Sequence, residues 1–168
     1  MSDLSAAADR LEAAAAELAT LREPIEAGEP WPLTDVYGPG PESSWGPREV
    51  LAHVAEMLPY WMGEIERILD GGDGGPVPFG RTETDPVRVD VIGRDRTMPA
   101  RELLSRIGSE ARRVSTRLRE LEAADAERRG LHATRGPLRV AEIVESFQVG
   151  HLEGHVHQLR ESLGAGRR

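Results

Sequence analysis

The five histidines hold the clearest chemistry in the sequence, and three of them fall in one short stretch: His151, His155 and His157. His151 and His155 stand at i and i+4. On an α-helix that spacing puts both imidazoles on one face, one turn apart, where two nitrogens can reach a single metal ion. His157 lies about 200° around the helix from His155 and faces elsewhere. The pair also continues an apolar stripe, Val140, Val144, Phe147, so both rings point inward. A buried imidazole needs a partner, because an unsatisfied polar group costs roughly 1–3 kcal/mol. A shared metal ion satisfies both rings. Two ordinary hydrogen bonds would do so as well, and spacing alone does not separate these outcomes.

His53 sits between Val50 and Met57 at steps of three and four, on a second core-facing line. A lone core histidine is usually a hydrogen-bonded structural residue. A third inward histidine on another helix changes the balance, since three protein ligands with open positions is the common plan of a catalytic metal site. Gln148, Glu56 and Glu49 lie three or four residues from these histidines and are candidates to orient an imidazole from behind. A solvated helix face is the plain alternative for Glu49 and Glu56. Trp45, Tyr60 and Trp61 suit core packing and, secondarily, a pocket wall.

Four helical stretches are expected to position these groups: about 3–27, 47–70, 98–124 and 138–163. The first is alanine-rich, with a stripe of Leu4, Ala8, Leu11, Ala15, Leu18 and Ile25. The second opens at Pro47, a residue suited to a first helical position. The third carries Leu104, Ile107, Ala111, Val114 and Leu118, with Thr97 as its expected cap. Residues 28–46 read as a loop. Residues 71–97 read as a long crossover between the second and third helices, with a short strand possible over Val87–Val91. Such a crossover lets those two helices run parallel. The expected fold is therefore all-α, one domain over 1–168, a four-helix bundle of up-down-down-up order.

The totals exclude several functions. The formal net charge is -8, which disfavours nucleic-acid binding. No apolar run approaches the roughly 20 residues a membrane span needs, and the beginning lacks the pattern of a signal peptide, so a cytoplasmic protein is expected. With no cysteine in the chain, there is no Cys-type zinc site and no protein thiol nucleophile.

Trp45-Gly46-Pro47-Arg48-Glu49-Val50-Leu51-Ala52-His53 resembles the opening of the second helix in DinB-like proteins: an aromatic, a turn, a proline or small residue, an acidic residue and a Leu-Ala-His run. His151-Leu152-Glu153-Gly154-His155-Val156-His157-Gln158-Leu159 is similar to that family's final helix, where two histidines at i, i+4 precede a glutamine and an aliphatic residue. The resemblance covers most of the chain, although these two segments alone are specific. It implies that His53, His151 and His155 bind one divalent metal ion, commonly zinc or nickel, with water in the remaining positions. Arg139 departs from the family's usual Thr or Ser at a helix start, and His157 is an addition.

The resemblance further implies a metal-dependent transferase or isomerase that takes a low-molecular-weight thiol, of the mycothiol or bacillithiol type, and a small electrophile. The missing cysteine is consistent with an imported sulfur nucleophile. The alternatives are a non-catalytic metal-binding bundle in stress response, and a metal-dependent hydrolase with Glu56 or another carboxylate as base. Relatives often dimerise, and the alanine-rich first helix is the expected face for a homodimer.

Overall fold

The computed structural model describes residues 3–35, 40–72 and 74–165. It is mostly helical, with one small three-stranded sheet that the sequence reading did not anticipate. Helices α1 (Asp3–Thr20) and α2 (Arg22–Ala27) divide the single helix expected over 3–27. Pro24 has no N–H to give and fits the first turn of a restarted helix better than the middle of a continuous one. Helix α3 (Pro47–Asp70) has the expected bounds and carries Pro59 inside it.

The crossover is structured. It contains strand β1 (Val77–Phe79) and helix α4 (Pro86–Asp95). The alternation Val87-Arg88-Val89-Asp90-Val91 is thus helix, not strand. Asp85 caps it by accepting from the Arg88 N–H at 3.0 Å, and Pro86 occupies its first position. Both are helix-start signals that outweigh a five-residue alternation. Helix α5 (Ala100–Glu120) follows Pro99. Thr97 does not cap it; the Thr97 hydroxyl donates to the Arg94 carbonyl at 2.8 Å and closes α4 instead. Helix α6 (Ala123–Ala126) is a single turn.

Strands β2 (Arg129–His132) and β3 (Gly136–Arg139) form a hairpin, and β1 adds to β2 in parallel, with Phe79 opposite His132. Gly130 is required where this sheet meets α3: a Cβ there would lie 2.5 Å from both Ile68 Cδ1 and Phe79 Cδ1. The chain then turns into α7 (Val140–Ile143), a π-helical segment (Val144–Val149) and α8 (Gly150–Ala165) without interruption. At the start of α7, the Glu142 carboxylate accepts from the Arg139 N–H at 2.8 Å, the half of a capping box that the third helical residue contributes.

Helix α1 packs against α5 and α8, and α3 packs against the same two. Ion pairs mark the alignment. Arg119 reaches Asp9 and Glu12 of α1, and Arg117 reaches Glu66 of α3. Arg96, just before α5, reaches Glu49 near the start of α3. Arg10 of α1 bridges Glu145 and Glu153, and Arg160 pairs with Glu17.

Residues 49–58 of α3 are buried without a break, so its first half has no solvated face. The reason is the structured crossover: α4 packs on α3, together with the segment around Thr34 and Trp45. Glu49 is fully buried and accepts from the Thr34 N–H, the Thr34 hydroxyl and Arg96 at 2.9, 3.0 and 3.1 Å. Its role is to clamp the incoming loop, and it makes no bond to His53.

Candidate metal centre

The two helices that carry the histidines face each other. His53 lies in the second turn of α3, and His151 and His155 lie at the start of α8, directly after the π-helical segment. A π turn widens the helix by one residue and is common next to functional sites. Here it lets Phe147, Gln148 and Val149 all be buried immediately ahead of His151. His53 Nε2 and His151 Nε2 are 3.2 Å apart. The rings of His151 and His155 stack with centroids 4.8 Å apart, and His53 meets His155 edge-on at 5.1 Å.

The fourth member comes from the loop that carried no sequence signal. Glu42 opens a 3₁₀ turn, Glu42–Ser44. Its carboxylate lies 3.1 Å from His151 Nε2, 3.3 Å from His155 Nε2 and 3.4 Å from His53 Nε2. One ligand atom from each of Glu42, His53, His151 and His155 falls within 4.8 Å of the others. Two nitrogens bound to one ion at about 2.0–2.1 Å stand roughly 2.8–3.4 Å apart for octahedral to tetrahedral angles. The 3.2 Å separation of the two Nε2 atoms lies in that range.

The outer nitrogens explain why the inner ones are acceptors. His155 Nδ1 donates to the Gln158 amide oxygen at 2.9 Å, because that oxygen can only accept. In the neutral ring that leaves Nε2 as the lone-pair nitrogen, buried and facing the Glu42 carboxylate at 3.3 Å. His53 Nδ1 faces Glu56 Oε2 at 3.7 Å, just beyond hydrogen-bond range. Glu56 is itself ion-paired with the buried Arg81. A carboxylate behind Nδ1 favours a proton on that side by its charge, with Nε2 facing the cluster. Three ring nitrogens and a carboxylate thus converge at short range, an arrangement that could hold a cation.

The electrostatics favour a neutral His53 and a charged Glu42 carboxylate. Burial pushes His53 down to about 4 from 6.5, outweighing the pull of Glu56 and Glu42 the other way. Burial alone would raise the Glu42 carboxyl. The hydrogen bonds with His151 and His155 and the proximity of His53 win, and hold it well below the usual carboxylate range. Arg88 of α4 donates to Glu42 Oε1 at 2.6 Å and to the Glu83 carbonyl at 2.9 Å, fixing the carboxylate from outside.

A cavity of about 590 Å3 opens beside the cluster. Glu42, His53 and His151 form one wall, Trp61 and Phe147 an aromatic floor, and Arg81, Arg88, Arg135 and His132 much of the remainder. Trp61 and Phe147 stack with centroids 4.2 Å apart, and His132 lies parallel to Phe147 at 5.7 Å. Gly80 permits this wall. It has φ +85, and a Cβ there would stand 2.5 Å from His132 Cδ2.

The candidate residues named from the sequence are therefore distributed as follows. His53, His151 and His155 are brought together. Glu56 stands behind His53. Gln148 is fully buried but donates to the Leu58 carbonyl at 3.0 Å, tying α8's approach to α3 rather than touching a histidine. Glu49 serves the loop. Trp61 faces the cavity and Trp45 meets His53 edge-on at 5.4 Å. His157 is exposed and pairs with Glu161 at 3.3 Å. Glu42, Arg88, Gln158 and His132 were assigned no role from the sequence. Of these, only Gln158 left a trace there, as the glutamine of the final-helix motif.

Among the described residues, no helix is long and apolar enough to cross a membrane. No curated protein sequence gives a significant match. The family model of the DinB superfamily matches residues 3–159, which takes in all four members of the cluster and every element from α1 into α8. The chain belongs to the DinB superfamily.

Proposed function

We propose that this chain holds one divalent metal ion, zinc or nickel, through His53, His151 and His155 with Glu42 as a fourth donor. We infer further that it joins a low-molecular-weight thiol, of the mycothiol or bacillithiol type, to a small electrophile. The scaffold is read as an up-down-down-up four-helix bundle. The pairs Arg117–Glu66 and Arg96–Glu49 support parallel α3 and α5, and Gln148–Leu58 together with His151–His53 supports antiparallel α3 and α8.

One observation carries the functional part: the converging nitrogens border a cavity large enough for a small substrate. An ion bound there supplies a Lewis acid that lowers the pKa of a thiol or water brought to it. The protein's own groups do the rest. Gln158 and Glu56 hold two imidazoles in the ligating tautomer. Glu42, kept ionised, offsets the ion's charge. Trp61 and Phe147 exclude water from one side of the cavity. The chain has no cysteine, so the sulfur must enter with a cosubstrate.

A non-catalytic metal protein is the second reading, and Glu42 favours it, since a fourth protein donor is the plan of a structural site. A hydrolase has less support: Glu56, its expected base, is committed to Arg81 and His53 and does not line the cavity. The test is turnover. Metal-loaded protein is offered a thiol and a generic electrophile such as a chloronitrobenzene. A rate well above that of a His151→Ala control supports transfer. Equal rates, with the metal retained by the wild type, leave the structural reading standing.

A further inference from the structure

Three guanidinium groups line the cavity, and two are already matched. Arg81 pairs with Glu56 and lies 3.6 Å from the Tyr60 ring centroid. Arg88 pairs with Glu42. Arg135, in the turn of the β2–β3 hairpin, differs: it lies 4.6 Å from the centroid of Phe147 and has no ion pair among the described residues. A guanidinium held over a ring keeps its N–H groups in its own plane, where they can grip a carboxylate with two parallel bonds. Glu83 is the lining carboxylate without an ion pair among the described residues, so the lining is close to neutral overall. A divalent ion in the cluster tips the balance toward binding anions.

The surface beneath Arg135 is aromatic. Phe147 carries Arg135 at 4.6 Å and also stacks on Trp61 and His132. His132 is held in place by the Thr134 N–H, which donates to its Nδ1 at 3.2 Å from the same hairpin turn. The turn that presents the guanidinium is thereby locked to the aromatic floor. Cation, aromatic surface and metal-ligand wall all border one volume of about 590 Å3.

We propose that this cavity takes a small organic acid, its apolar body beside the Trp61–Phe147 stack and its carboxylate on Arg135, leaving its other end toward the histidine cluster. This deepens the transferase reading by naming the substrate class as acidic, and it rests on that reading only for the chemistry at the far end. The carboxylate pocket itself is a separate claim about binding.

The experiment uses 4-fluorobenzoate and its neutral partner 4-fluorobenzamide, titrated against the full chain by fluorine NMR. Wild type, Arg135→Gln and His151→Ala are each measured with and without zinc. Benzoate should bind wild type more tightly than benzamide. Arg135→Gln should weaken benzoate by about fivefold, as expected for an exposed ion pair of good geometry, and leave benzamide unchanged. Arg135→Lys should recover part of the loss. Equal binding of the two probes to wild type overturns the proposal. So does a benzoate preference that survives Arg135→Gln but disappears without zinc, because the carboxylate then sits on the ion. If wild type takes up no zinc yet shows the Arg135-dependent preference, the metal reading fails and the acid pocket stands.

Discussion

His155 Nδ1 donates to the Gln158 side-chain oxygen at 2.9 Å, and the same amide donates through Nε2 to the Glu42 carbonyl at 2.7 Å. One side chain therefore fixes the tautomer of a ligand candidate on α8 and anchors the loop that brings in the fourth donor. The two residues are three apart on one helix, so the imidazole and the amide meet by helical geometry alone. The loop is recruited by the amide's free end.

Gln158→Leu should leave the helices intact and weaken metal binding. Loss of a group that orients a ligand typically costs 10–100-fold in metal affinity. Competition with a chromogenic chelator measures it. An unchanged affinity would mean that packing alone orients His155.

Glu42→Gln keeps the shape and removes the charge. The Arg88 contact should persist through the amide oxygen, while metal affinity should fall by about tenfold or more, since an amide is a weaker ligand than a carboxylate for an N/O site. Circular dichroism should show unchanged helix content. If affinity is unaffected, Glu42 is a neighbour of the ion and not a donor.

Acid should destabilise the metal-free protein in a defined window. Burial depresses His53 to about 4 from 6.5. A buried histidine kept neutral binds fewer protons in the folded than in the unfolded chain, so stability declines as pH falls from about 6.5 toward 4. Glu42 acts in the same direction, its lowered pKa contributing stability that is lost at still lower pH. Melting temperatures of chelated protein across pH 4–8 should drop on the acid side, and His53→Leu should flatten the upper part of that drop. A curve level between pH 6.5 and 5 would contradict the burial of a neutral imidazole.

Gly80→Ala should destabilise the fold and disturb the cavity together. The residue has φ +85 and sits against the His132 ring. A side chain in such a backbone region costs of order 1–3 kcal/mol. The melting temperature should fall, and the His132 ring resonances should shift. A neutral substitution would show that the 80–82 segment relaxes freely.

How far the sequence reaches can be judged residue by residue. The i, i+4 spacing and apolar stripe put His151 and His155 on one inward face, and the structure has them there. The start of α3 was legible in Gly46-Pro47, down to the first residue. Glu42 was not, because a donor in an irregular loop has no periodicity to betray it; its place depends on Gln158 and Arg88, far away in sequence. The small sheet was missed since its strands are three or four residues long and β1 finds its partner some fifty residues later. Glu49 and Glu56 looked compatible with solvent on a helical wheel. They are buried because the 28–46 loop and the crossover fold over α3, tertiary events that local pattern does not encode. Helix α4 is the one miss with a visible remedy: Asp85-Pro86 was a helix start standing directly before an alternation too short to be decisive.

The most direct test is the metal content of the protein, measured by elemental analysis after purification under zinc- and nickel-replete conditions. The site predicts one equivalent of a divalent ion in the wild type. It predicts close to none in His151→Ala with the helical spectrum retained, and the same loss for His53→Ala. Wild-type protein free of metal under those conditions, or full occupancy in the folded histidine variants, would contradict the assignment.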